Sequence, residues 1–142
     1  MKTKKMTYLA RTLILGMLAT LMVFTINSCT KKAHFLQSSV VPAAEGDVKI
    51  KRDRNDNYVL KMEIKNLAEI DRLQPPKNHY VVWMETDRGT TRNVGLITSS
   101  SRLKVSFETV STLKPTRIFI TAEEDGNVQY PGSMVVLTTG RL

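Results

Sequence analysis

The chain has 142 residues, the length of one domain, and carries 21 Lys and Arg against 13 Asp and Glu, a net charge of +8. One Cys and two His exclude an intramolecular disulfide and a multi-cysteine zinc site. With 42% hydrophobic residues, the composition is neither that of a disordered chain nor that of a fibrous protein.

The first 28 residues have the parts of an export signal. Residues 1–11 hold four basic residues and no acidic one, and residues 12–25 (TLILGMLATLMVFT) follow without a charge. A basic start and a short apolar core are typical of a secretory signal, whereas a membrane-spanning helix needs about 20 apolar residues. We therefore expect a signal peptide over residues 1–28 rather than a permanent transmembrane anchor.

A lone cysteine ends this segment. Ile26, Asn27, Ser28 and Cys29 resemble the lipobox of bacterial lipoproteins, and the Ser-Cys ending is similar to that of lipoproteins from the Bacteroidetes group. The resemblance implies cleavage between Ser28 and Cys29, a diacylglyceryl thioether on the cysteine sulfur and an acyl group on the new amino terminus. Several lipid chains anchor a protein stably where one does not. The alternative is an unmodified cysteine behind an ordinary signal peptide.

Cleavage would leave a less basic chain that starts with a polar segment. It removes four basic residues, so that 17 basic and 13 acidic residues remain, a net charge of +4. This mixed charge predicts a solvated surface and no nucleic-acid partner. Residues 30–44 lack a clear period, so we predict that the lipidated Cys29 and the rest of 29–44 form a flexible tether of about 20 Å. Lys31 and Lys32 stand where surface-exported lipoproteins carry acidic residues, which favours an outer-membrane anchor facing the periplasm.

From residue 45 onward the hydrophobic pattern has a period of two. Alternating apolar and polar side chains are typical of half-buried strands, and Gly, Pro, Asn and Asp supply turns between them. We predict seven strands, near 46–51, 58–65, 79–85, 92–98, 103–108, 117–123 and 134–138, and one helical turn within 67–73. Seven short strands predict that residues 45–142 form an all-β, antiparallel immunoglobulin-like sandwich after the N-terminal signal segment.

Two stretches of this pattern resemble the extracytoplasmic C-terminal domain of the anti-sigma-K factor family. The first is residues 79–84 (HYVVWM) with a polar turn ending in Gly89. The second is residues 118–126 (IFITAEEDG), followed by Pro131-Gly132 and the Val-Val-Leu of 135–137. The resemblance implies an immunoglobulin-like sandwich that acts as an envelope-facing sensory or binding module. The family's sigma-binding region has no counterpart here, so we expect no anti-sigma activity.

Two turns are the candidate binding loops. Their residues are Asp87, Arg88 and Gly89 in the first turn and Glu124, Asp125, Gly126 and Asn127 in the second. Because the sequence holds no nucleophile elbow, phosphate-binding loop or metalloprotease motif, we expect no enzyme activity, no metal and no cofactor beyond the lipids on Cys29. We expect a lipid-anchored module that binds an envelope protein through a sheet face or these loops.

Two other functions remain open at this stage. A glycan- or peptidoglycan-binding accessory module would need an exposed aromatic ring, whereas the apolar neighbours of Trp83 predict that this side chain is buried. A small hydrolase would use Glu123, Glu124 or Asp125, and its activity would be lost when they are replaced.

Two polar segments have both a structural and a functional interpretation. Residues 53–57 (DRNDN) begin like a calcium loop, but Tyr58 and Ile64 replace the glycine and the bidentate glutamate of such a loop, which favours a plain polar hairpin. A basic edge formed by Lys49, Lys51, Arg52 and Arg54 is typical of protection against edge-to-edge aggregation. Contact with anionic lipid headgroups near the anchor is the alternative.

Overall fold

The computed structural model describes residues 30–98 and 104–142, together with Tyr8, Ala10, Leu13 and Ile14. Except for these four residues, the predicted signal peptide lies outside the described residues, and so do the predicted cleavage residue Ser28 and the predicted lipid-attachment residue Cys29. No helix in the described part of the chain is long and apolar enough to cross a membrane.

In the described part of the chain, eight strands form two antiparallel sheets. The strands are β1 (Thr30–His34), β2 (Glu45–Arg52), β3 (Tyr58–Lys65), β4 (His79–Thr86), β5 (Thr91–Ile97), β6 (Lys104–Ser111), β7 (Pro115–Glu123) and β8 (Val135–Thr138). The first sheet has the order β1-β2-β3-β6 and the second the order β5-β4-β7-β8. Strands β2 to β8 coincide with the seven predicted strands, and the predicted helical turn is the 3-10 helix Ile70–Arg72. The predicted antiparallel sandwich is therefore confirmed.

The main core lies between the two sheets. Leu60, Met62 and Ile64 of β3 cluster with Val82 of β4 and Ile120 of β7, and each of these side chains is at most 1% exposed. Alternate residues of a strand point to opposite faces, so the period of two in the sequence places one apolar row of each strand in this core. The sheets differ on their outer faces, because β3 has charged residues between its core residues whereas β4 is apolar on both faces.

The first strand joins the two sheets. Thr30 at the start of β1 lies opposite Lys51 of β2, and the pairing continues along the whole of β1. The chain then crosses to the second sheet, where Phe35 pairs with Thr139. The Leu36 N–H donates a hydrogen bond of 2.8 Å to a carbonyl of this second sheet. Residues 30–36 therefore close one side of the sandwich.

The predicted tether over 29–44 is consequently wrong for residues 30–44. After the crossing, Val41 and Ala44 are buried at 6% and 5% exposure, and the Ser38 hydroxyl accepts the Val41 N–H at 2.9 Å. Backbone pairing and scattered apolar contacts hold the segment, and neither produces a periodic pattern in the sequence. Thr30, the residue directly after Cys29 in the sequence, therefore already belongs to the folded domain.

The pairing of the strands defines two ends of the sandwich. The near end, where β1 begins, contains the β2–β3 loop (53–57), the β4–β5 loop (87–90) and the β6–β7 loop (112–114). The Asp87 N–H donates to the Lys114 carbonyl at 3.1 Å, which connects two of these loops. The far end contains the β3–β4 connection (66–78) and the β7–β8 loop (124–134).

Candidate functional site

The two candidate binding loops lie at opposite ends of the second sheet. Asp87, Arg88 and Gly89 follow the last residue of β4, at the near end. Glu124 follows β7, whose last residue pairs with His79, the first residue of β4. The eight residues of β4 span about 23 Å at the usual rise per residue of a strand, so the bases of the two loops lie far apart.

The β4–β5 loop is a tight hairpin beside a shallow cleft. The Gly89 N–H donates to the Thr86 carbonyl at 3.0 Å, and Gly89 has a φ of +73°, a conformation that favours glycine. The adjoining cleft has a volume of about 670 Å³. Arg117 in its wall is paired with Glu85, and its guanidinium lies 5.4 Å from the Phe119 ring centroid. Because this arginine already has partners on the domain, we do not regard the cleft as the leading site.

The β7–β8 loop covers a second apolar cluster, on the outer face of the second sheet. Val81, Trp83 and Phe119 form this cluster, with Leu96 and Val128 packed against it. The Trp83 and Phe119 rings are stacked, with centroids 6.3 Å apart and planes at 15°. Trp83 is 0% exposed, which confirms the prediction that it is buried. It lies under the loop, however, and is not part of the core between the sheets.

A chain of hydrogen bonds runs beneath the loop beside this cluster. Trp83 Nε1–H donates to Thr121 Oγ1 at 2.7 Å, and the Thr121 hydroxyl donates to Glu123 Oε1 at 2.5 Å. The same carboxylate oxygen accepts the Gly132 N–H of the loop at 2.7 Å. A side chain at position 132 would place its Cβ 2.6 Å from Glu123 Oε2, so glycine lets the loop approach the carboxylate without displacing it. Glu123, which is 8% exposed, thus ties the loop to β7.

A second attachment comes from the edge strand β5. Asn93 Nδ2 donates to the carbonyl oxygens of Gly126 at 3.0 Å and Val128 at 3.1 Å. Its Oδ1 accepts the Gly95 N–H at 3.1 Å, which fixes the orientation of the amide group. A Cβ at position 126 would lie 2.7 Å from the Leu96 side chain, so Gly126 lets the loop backbone pack on the sheet.

A third attachment holds the base of the loop at the far end. Lys77 Nζ lies 2.8 Å from Glu124 Oε1, and Asn78 Nδ2 donates to the Glu124 carbonyl at 3.1 Å. The Asp125 carboxylate accepts the Asn127 N–H at 2.9 Å, which closes a short turn at the start of the loop. The three attachments together fix the loop at its base, at its middle and near its return to β8.

This fixed loop presents an aromatic ring to solvent. Tyr130 is 82% exposed, the largest exposed fraction among the exposed large hydrophobic side chains of the described residues. Of the predicted loop residues, Glu124, Asp125 and Asn127 are exposed, whereas Gly126 is buried against the sheet. Tyr130 was not singled out from the sequence, although an aromatic residue directly before Pro131-Gly132 in a polar segment was a usable signal.

Other polar groups considered from the sequence serve the fold. The Asp53 carboxylate accepts the N–H groups of Asn55 at 2.7 Å and Asn57 at 2.9 Å, so the segment is a polar hairpin loop, as predicted. The hydrogen bond from the Asn57 side chain is the main reason that the pKa of Asp53 is lowered. Among the described residues, no three His, Cys, Asp or Glu side chains are grouped so that they could hold a metal ion.

We expect Glu123→Ala to release the loop. The change removes the acceptor of the Thr121 hydroxyl and the Gly132 N–H, and unmatched buried donors cost about 1–3 kcal/mol. Hydrogen exchange should show loss of protection at the Gly132 amide. Glu123→Gln keeps an oxygen acceptor and should have a smaller effect, and Glu124→Ala, which removes an exposed pair, should cost at most about 1 kcal/mol. Full protection of Gly132 in Glu123→Ala would contradict this role of the carboxylate.

The chain matches no protein-family model, no curated protein and no solved structure.

Proposed function

We propose that the protein is a lipid-anchored module of the bacterial cell envelope that binds another envelope protein and has no catalytic activity. The signal-like residues 1–28 and the lipobox-like residues ending in Cys29 support the anchor and a periplasm-facing location. The resemblance of the later strands to the extracytoplasmic domain of anti-sigma-K factors supports a sensory or binding role. We propose the β7–β8 loop as the binding surface.

One observation carries the choice of this surface. The loop is fixed by side chains of Asn93, Glu123 and Asn78, and yet it projects Tyr130 almost fully into water. A tyrosine on a rigid loop has little conformational entropy to lose on binding, and tyrosine is enriched among the residues that dominate binding energy. The exposed Asp125 of the same loop favours a partner with a basic rim around an apolar pocket.

The glycan-binding alternative now depends on a different residue. Trp83 is covered by the loop and cannot stack on a sugar in this conformation. The exposed aromatic ring of this loop is Tyr130. A sugar could stack on this ring alone, because Trp83 and Phe119 are buried beneath the loop. Protein binding is the better supported proposal, because one exposed aromatic anchor on a preorganised loop suits a protein pocket.

The test is crosslinking of the full-length protein in cells, followed by purification and mass spectrometry. We expect one dominant envelope protein to co-purify with the wild type, and Tyr130→Ala to reduce its recovery by about tenfold, as expected for an interface residue that contributes at least 1.4 kcal/mol. Val110→Ala is the matched control, since Val110 is an apolar side chain that is 58% exposed on β6, in the other sheet.

The outcomes separate the two functions. Loss of the partner with Tyr130→Ala and its retention with Val110→Ala support the proposal, provided that both variants unfold at the wild-type temperature. Recovery of glycan fragments with no enriched protein would contradict the proposal and favour the glycan-binding alternative. Equal recovery of one partner by both variants would reject the β7–β8 loop as the binding surface.

A further inference from the structure

We infer that the near end of the sandwich is a docking surface for anionic phospholipid headgroups, so that the domain lies directly on the membrane that anchors it. The inference rests on the proposed lipid anchor at Cys29. It adds a membrane-contact face to the proposed function and assigns the near end and the far end separate roles.

The position of the first strand brings this end to the membrane. Thr30 is the first residue of β1 and pairs with Lys51 at the near end. Consecutive Cα atoms are about 3.8 Å apart, so a lipid on Cys29 would be attached one residue from the folded domain. With no tether between the two, the loops of the near end must lie close to the headgroups of the anchoring leaflet.

The near end carries a group of free cations. Its exposed basic residues without an ion pair to any described residue include Lys31, Lys51, Arg54, Arg88, Lys114 and Arg141. They come from β1, β2, three loops and the C-terminal segment, which the strand pairing brings to one end. The Leu142 N–H donates to the Thr116 carbonyl at 2.7 Å, which places the C-terminal segment beside the start of β7.

Most carboxylates of the near end already have hydrogen-bond or ion-pair partners within the domain. Asp53 is held by the backbone of its own turn, and Asp56 lies 3.6 Å from the guanidinium of Arg52. Glu85 is paired with Arg117. Asp87 is the remaining side-chain carboxylate among the described residues of this end. The near end therefore has a surplus of unpaired positive charge.

The far end has the opposite character. Among the residues described at this end, Arg72 is paired with Glu69 at 2.7 Å and Lys77 with Glu124 at 2.8 Å. The β7–β8 loop adds the exposed Asp125. Attraction between basic residues and anionic lipid strengthens binding by about fivefold per residue and decays within about 8 Å at physiological salt. Electrostatics would therefore hold the near end on the membrane and leave the far end, with the base of the β7–β8 loop, facing away from it.

The test uses the mature chain, purified from membranes in detergent and reconstituted into vesicles. A photo-crosslinking amino acid replaces Asn55 at the near end or Gln129 in the β7–β8 loop, and lipid adducts are measured by mass spectrometry. We expect at least about fivefold more lipid adduct from position 55 than from position 129 in vesicles of phosphatidylcholine mixed with phosphatidylglycerol. In vesicles of phosphatidylcholine alone this excess should fall by about fivefold or more.

Charge-reversal variants supply the control. One triple variant reverses three charges of the near end (Lys51→Glu, Arg54→Glu and Lys114→Glu). It should abolish the excess lipid adduct at position 55. The control is a second triple variant on the outer face of the first sheet (Lys49→Glu, Lys61→Glu and Lys65→Glu), which changes the net charge by the same amount. This variant should keep most of the excess lipid adduct at position 55. Equal loss in both variants, or equal adduct from positions 55 and 129 in the wild type, would overturn the docking surface.

The same samples distinguish failure of the docking surface from failure of the anchor. The mass of the N-terminal peptide reports whether Cys29 carries lipid, independently of the crosslinks. A lipidated chain with no excess adduct at position 55 keeps the anchor and rejects docking. An unmodified Cys29 rejects the anchor, and the crosslinks from position 55 still decide whether the near end contacts anionic lipid.

Discussion

Replacing Trp83 with alanine is expected to lower the free energy of unfolding by about 3–5 kcal/mol, the usual cost of removing a large buried aromatic side chain. The effect should be this large although Trp83 lies outside the main core, because the β7–β8 loop buries it completely. The change removes the ring that stacks on Phe119 and the indole N–H that Thr121 accepts. Urea unfolding followed by far-ultraviolet circular dichroism measures the effect.

Trp83→Phe is the matched variant, because it keeps an aromatic ring and removes the indole donor. We expect it to cost about 1–2 kcal/mol. Trp83 is also the single tryptophan of the chain, so its fluorescence reports on the loop directly. We expect blue-shifted emission that acrylamide quenches poorly. A cost below about 1 kcal/mol for Trp83→Ala, together with easily quenched wild-type emission, would mean that the loop does not cover the sheet in solution.

The second large effect is expected at Cys29. Cys29→Ala removes the sulfur that accepts the diacylglyceryl group, so the lipidated mature form should disappear from the membrane fraction and a precursor that retains residues 1–28 should accumulate. Ser28→Ala is the matched control, since it keeps a small residue before the cysteine and should be processed like the wild type. Immunoblots of fractionated cells, with a lipid-labelling reagent, measure both. A Cys29→Ala chain of mature size that remains membrane-bound would contradict the lipoprotein proposal.

Most of the fold could be predicted because seven strands carry their own periodic signal. The alternation in β3, where Leu60, Met62 and Ile64 are buried between exposed residues, fixes both the strand and its inward face. The apolar run of β4 predicted a central strand, and β4 lies between β5 and β7. In these strands most apolar residues of the sequence are buried residues of the structure, so the sequence pattern alone predicts the strand.

Strand β1 could not be predicted in this way. Its residues, Thr-Lys-Lys-Ala-His, contain one half-buried side chain, Ala33. Backbone pairing with β2 holds the strand, and backbone hydrogen bonds are available to any residue except proline. The segment therefore has the composition of a flexible tether. It forms a strand because it lies beside β2, whose backbone groups pair with it.

The candidate site was predicted in part for a similar reason. The turn residues Glu124–Asn127 were recognised from their composition, and the loop that contains them is the leading site. Its attachments to Asn93 and Glu123 join residues that are distant in sequence or hidden within a strand, and no local pattern marks them. The apolar character of β4 also does not reveal that its outer face is covered by a loop rather than by another sheet.

The most direct test of the account is the mass of the N-terminal peptide of the mature protein, isolated from membranes. Both the envelope location and the roles assigned to the two ends of the sandwich depend on a lipid attached one residue before β1. The account predicts that the mature chain begins at Cys29, with a diacylglyceryl thioether on the sulfur and an acyl group on the amino terminus. An unmodified Cys29, or a mature chain that retains residues 1–28, would contradict it.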